Sequence, residues 1–181
     1  MRIKAILFFL LCFTGYAKNY AQFITEVKGI NTFSLSDAVI CIDVNDAALV
    51  QKAAALLQQD IEMVTGKKLF ISNKTPASSK TMIIIGTAEN SALIKQLIQQ
   101  KKISAGSIKN KWEGYQIQSI KNPFKGIDNA LVLTGSDRRG TAFGVFELSK
   151  QIGVSPWYWW ADVPVKKRPE IFVKANTFIT C

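Results

Sequence analysis

Residues 130–164, ALVLTGSDRRGTAFGVFELSKQIGVSPWYWWADVP, restrict the fold of this chain more than any other run. Residues 130–134 read as a strand, and Gly135-Ser136-Asp137 as a tight turn. Thr141, Val145, Leu148 and Ile152 then recur at helical spacing until Gly153 stops them. Gly140 and Gly144, one helical turn apart, leave a flat face on which another backbone can approach closely. After the helix come Trp157, Tyr158, Trp159 and Trp160, consecutive large aromatics between Pro156 and Pro164. Such a run is costly to leave in water, so it must pack against something.

The rest of the chain carries the same mixture of periods. Residues 33–35 and 39–44 read as strands, the second apolar on both faces as if covered on each side. Leu49, Ala53, Leu57, Ile61 and Val64 predict a helix that Asn45 or Asp46 caps and Gly66 ends. Asp60 and Glu62 fall on its solvent side. Residues 69–72 and 81–85 are strands, 91–102 a helix, and 86–90 a plain strand-to-helix turn. Residues 115–120 and 130–134 form a hairpin about Asn122-Pro123 and Gly126. The expected class is α/β (α+β), a mixed sheet of about five to six strands with three packed helices.

Residues 1–21 stand apart. Arg2 and Lys4 precede the apolar run around ILFFLLCF, and Gly15, Ala17 and Ala21 supply small residues for cleavage after Ala17 or Ala21. This is the pattern of a secretory signal peptide, too short to span a bilayer. The expectation is an exported chain, periplasmic or extracellular, with no membrane span after cleavage. Cleavage after Ala21 leaves 20 basic against 13 acidic residues. Export argues against nucleic acid as the partner of this positive charge, and an anionic membrane surface or an acidic polysaccharide remains. Scattered lysines such as Lys67, Lys68, Lys101 and Lys102 read as a solvated surface, whereas Lys166, Lys167 and Arg168 form a dense cluster.

The chain has no histidine, which excludes Ser-His-Asp and Cys-His nucleophiles and His-based metal sites. No cysteine spacing suits a metal, so the reading assigns no metal, no cofactor and no catalytic residue. Cys41 reads as a buried apolar residue, with a bridge to Cys181 as the alternative.

Arg138 and Arg139 open the last helix, where cations oppose the helix dipole. Either they pair with acids such as Asp137, Glu147 or Asp162, or they serve a ligand. Residues 135–167 resemble the end of the N-terminal domain of glycoside hydrolase family 115, the xylan α-1,2-glucuronidases. The fold implied is the domain that precedes the catalytic barrel in those enzymes and in β-hexosaminidases. The resemblance implies a division into a signal peptide (1–21), an α/β accessory domain (22–155), and an aromatic loop and linker (156–181) towards a barrel missing from this chain. It also implies that the chain alone is inactive and braces that barrel, whose substrate is glucuronoxylan. Arg139, with Arg138 beside it, would reach the sugar. Trp157, Tyr158, Trp159, Trp160 and Asp162 would dock the barrel, although closure of the domain's own core and direct sugar contact are also open to the aromatics. The other readings are a small secreted carbohydrate-binding module for acidic glycans and a truncated fragment with no role of its own.

Overall fold

A computed structural model of the chain describes residues 22–75 and 79–181, so the expected signal peptide lies outside the described residues. The strands are β1 (Ile24–Thr25), β2 (Thr32–Ser34), β3 (Val39–Ile42), β4 (Phe70–Ser72), β5 (Thr81–Thr87), β6 (Tyr115–Lys121), β7 (Asn129–Gly135), β8 (Phe172–Lys174) and β9 (Phe178–Thr180). The helices are α1 (Ala48–Thr65), α2 (Ala92–Gln99), α3 (Arg138–Ile152) and the short α4 (Tyr158–Ala161). Six strands form one mixed sheet in the order β4-β3-β5-β7-β6-β9, and β1, β8 and β2 form a second, antiparallel one. Strands β4, β3, β5 and β7 run parallel, while β6 is antiparallel to β7 and β9 to β6. The expected class and the β6–β7 hairpin therefore hold.

Alternation along the central strands divides the core between the two faces. Ile40, Ile83, Ile85, Leu131 and Leu133 face α1, α3 and the small sheet. Cys41, Met82, Ile84, Ala130 and Val132 face α2 through Ile94 and Leu97. Such a strand must be apolar on both sides, because helices cover both. At about 25 cal/mol per Å² of apolar surface, each fully buried leucine or isoleucine favours this arrangement by roughly 1.5–3 kcal/mol.

Local signals placed most helix ends. Gly66 ends α1 and Gly153 ends α3, each left-handed at φ 76° and 109°, a conformation that costs glycine nothing. Ser91 caps α2 by accepting from the Ile94 N–H at 3.4 Å. The expected cap of α1 is corrected. Its N-cap is Ala47, with no side-chain bond, because Asp46 is turned to a longer-range task. Asp46 is buried and accepts from the Thr87 N–H (2.7 Å) and hydroxyl (2.9 Å), tying the exit of β3 to that of β5.

The segment read as loop and linker carries three elements of its own. Tyr158–Ala161 is a short helix, β8 lies between β1 and β2, and β9 extends the main sheet beside β6. Arg168 fixes this return: it is 9% exposed, its N–H donates to Val64 O, and its Nε lies 3.2 Å from Glu26 Oε1. Lys166 Nζ reaches the same carboxylate at 2.7 Å. Of the basic cluster, Lys166 and Arg168 therefore serve to pin the returning chain to its beginning.

Candidate functional site: the Asp137 turn and the aromatic segment

The turn after β7 is built by glycines that other side chains could not replace. A Cβ on Gly135 would stand 2.1 Å from the Thr141 backbone nitrogen, so only glycine lets α3 begin so close to the strand. A Cβ on Gly140 would stand 2.2 Å from the carbonyl oxygen of Gly114, and one on Gly144 3.3 Å from the Tyr115 ring. The flat face expected at these two residues is real, and the backbone that approaches it is the entry to β6.

Asp137 joins the two segments. Its Oδ1 accepts from the N–H groups of Arg139 and Gly140, both at 2.8 Å, which makes it the N-cap of α3. Its Oδ2 accepts from the Glu113 N–H, also at 2.8 Å. Burial works to raise the Asp137 carboxyl, but the donors Gly140, Glu113 and Arg139 and the Arg139 charge outweigh it and hold the group below its ordinary value.

Arg139 pairs with an acid, but with none of the expected three. Its Nη1 lies 3.1 Å from Glu113 Oε1, and its guanidinium sits 5.9 Å from the centroid of the Phe143 ring. The arginine is 55% exposed, so the pair contributes about 0.2–1 kcal/mol. Glu147 instead pairs with Lys150, and Asp162 is exposed at the left-handed end of α4. Arg138 is exposed and makes no ion pair among the described residues. Glu113 was missed because nothing in its local pattern marks a partner for Arg139.

The aromatics divide by environment. Tyr158 packs against the core, whereas Trp157 is 64% and Trp160 86% exposed, with Val163 exposed beyond them. Pro156, just before them, lines a groove of about 300 Å³ with Leu56, Asp60, Phe146, Ser149 and Val154. Asp60 is therefore not on open solvent, as its helical period implied, because α3 packs across that face of α1. Burial raises its carboxyl above the ordinary value.

Cys41 and Cys181 are both free; Cys41 is buried and its thiol is pushed up to about 12 by that burial. Among the described residues no group of three or more histidines, cysteines and acids could hold a metal ion, and no helix is long and apolar enough to cross a membrane.

The glycine-locked turn opens α3, and the exposed tryptophans lie beyond its other end. The family model described as Glycosyl hydrolase family 67 N-terminus matches residues 19–148. The chain belongs to this family. This glycosyl hydrolase family 67 N-terminal domain is also similar to the solved structure of a family GH115 4-O-methyl-α-glucuronidase, BtGH115A, described as having specificity for decorated arabinogalactans. The TM-score is 0.64 at 30% identity, over 82% of this chain and 18% of that one. Its likeness to CpGH84D, with a TM-score of 0.50 at 14% identity over 86% of this chain and 23% of that one, concerns the fold alone. The domain thus spans less than a quarter of either solved chain. No curated protein matches the sequence. The matched family model is that of family 67, whereas BtGH115A belongs to family 115.

Proposed function

We propose that the chain is the non-catalytic N-terminal domain of an exported α-glucuronidase of the family-115 kind, bracing a catalytic barrel that lies outside this sequence. The observation that carries this reading is the 30% identity to BtGH115A across 82% of the chain, against under a fifth of that enzyme. The exposed Trp157 and Trp160, three residues apart in sequence, support a surface of this kind, since large apolar side chains left together in water mark an interaction site. In this reading Trp157, Tyr158, Trp159, Trp160 and Asp162 meet the barrel. Arg138 and Arg139, at the C-terminal edge of the sheet, reach towards its sugar. The substrate is a polymer carrying 4-O-methyl-glucuronic acid, glucuronoxylan or a decorated arabinogalactan.

The test measures 4-O-methyl-glucuronic acid released from both polymers, by the chain alone and by a fusion in which it replaces the matching part of BtGH115A. The expected result is no release by the chain and release by the fusion. Trp157→Ser with Trp160→Ser in the fusion should lower its melting temperature by several degrees, because about 1.5–3 kcal/mol is lost per aromatic no longer buried. Release by the chain alone would refute the non-catalytic reading, and an unchanged melt would refute the docking surface.

A further inference from the structure

Strands β5 and β7 are parallel neighbours, with Thr87 opposite Gly135 at their shared end. The chain leaves β5 for α2 on one face of the sheet and leaves β7 for α3 on the other. Connections that depart to opposite faces leave a crevice outside the strand ends, and open α/β sheets take their ligands there. Here the crevice is a cleft of about 400 Å³, within the range of small-molecule sites. Glu89, Lys109, Asn110 and Ser136 line it, with Ile98 and Ile108 supplying apolar wall. The turn at residues 86–90, read from sequence as a plain connection, contributes one side.

The walls are set in place by hydrogen bonds. Gln116, 1% exposed, donates through Nε2 to Ser104 O and accepts through Oε1 from the Ser107 hydroxyl, both at 2.7 Å. Asp46 holds Thr87, Asp43 accepts from the Ala92 N–H at 2.7 Å, and Asp137 holds Glu113. By contrast, among the described residues no hydrogen bond or ion pair engages the side chains of Glu89, Lys109 or Asn110. A rigid frame with free polar groups in its cleft is pre-organised for a polar ligand.

Trp112 stands two residues beyond Asn110, within about 7 Å of chain. It is 83% exposed, and Asn110 and Glu113 on either side of it are left-handed at φ 61° and 56°. Its neighbours Lys109, Asn110 and Lys111 are exposed and polar. A protein interface presents contiguous apolar surface, as at Trp157 and Trp160, and a lone indole among donors does not. An exposed indole two residues along the chain from a polar cleft's lining suits a ring that is apolar on its faces and hydroxylated at its edge. Lys109 lines the cleft and offers its charge to an anionic ligand.

We infer that this crevice, with Trp112 at its side, binds an acidic sugar unit of a polysaccharide, separately from the Trp157–Trp160 surface. The choice of a sugar acid rests on the α-glucuronidase reading, whereas the crevice itself does not. The test is calorimetric titration of the purified chain with a xylo-oligosaccharide bearing 4-O-methyl-glucuronic acid, and with neutral xylotetraose. Saturable binding of the acidic probe is expected, at least about tenfold tighter than the neutral one. Trp112→Ala and Lys109→Ala should each weaken it about tenfold, and Trp157→Ala should not change it. Absence of binding by a chain with a folded circular-dichroism spectrum, equal affinity for the neutral probe, or indifference to Trp112→Ala would overturn the inference. The fusion assay reports on barrel docking independently, so the two readings fail separately.

Discussion

Asp137→Ala removes one carboxylate and leaves three amide donors without an acceptor. Loss of the cap on α3 costs about 1 kcal/mol. The Glu113 N–H loses a bond to a charged acceptor, worth about 1.5–3 kcal/mol when buried and the lower end of that range at this half-exposed turn. The sum is about 2–3 kcal/mol, or a melting temperature lower by about 5–10 °C for a domain of this size. Urea denaturation followed by circular dichroism should show it as a lower midpoint at unchanged slope. The pH dependence separates this account from simple disruption. The folded carboxyl lies below its ordinary 3.8, so its contribution is complete above that value and is lost as pH falls through the folded one. The gap between wild type and Asp137→Ala should therefore be full near about pH 7 and narrow towards about pH 3. Asp137→Asn keeps one acceptor oxygen and no charge, so it should cost about half as much, and its own contribution should not vary with pH. A cost below about 0.5 kcal/mol for Asp137→Ala, or a gap constant with pH, would refute the assignment of this carboxylate as the joint between α3 and β6.

Gly140→Ala should destabilise the domain by about 1–3 kcal/mol in a thermal melt, although alanine favours a helix by about 1 kcal/mol, because its Cβ would meet Gly114 O at 2.2 Å. A higher melting temperature would show that the contact can open without loss. Cys181 should react with a thiol reagent in the native protein, while Cys41, buried and with its thiol at about 12, should react only on unfolding. Equal rates for the two would contradict the burial of β3.

The legible parts of the fold were those whose cause is local. Ala53, Leu57, Ile61 and Val64 repeat at the period of one buried helix face, although Val50 and not the expected Leu49 begins it, and Gly66 and Gly153 mark ends that need a left-handed residue. The two-sided apolar pattern of residues 39–42 announced cover on both faces, and α1 and α2 supply it. Strands β8 and β9 carry no such signal. Each has three residues, too few for a period, and they form because β1, β2 and β6 offer unpaired edges. Asp46 looked like a cap, as a local reading requires, and became a bridge to Thr87, 41 residues away in sequence. Glu113 escaped notice for the same reason.

The site follows this division between local and long-range causes. Gly135, Asp137 and Gly140 could be read as a turn that must hold something close, and the partner proved to be the Glu113–Gly114 backbone. A cleft has no residue pattern of its own. It arises where two neighbouring strands send their helices to opposite faces, so it depends on strand order and not on any one segment. Residues 86–90 and Trp112 are therefore unremarkable in sequence, yet the sheet brings their loops to one end. The same contrast separates the two exposed aromatic regions. Trp157 and Trp160 are exposed in a largely aromatic stretch, which is why the proposed occupant there is a protein neighbour. Trp112 is solitary among polar residues, and the adjoining cleft has free polar groups, so the ligand that fits it is small and hydroxylated.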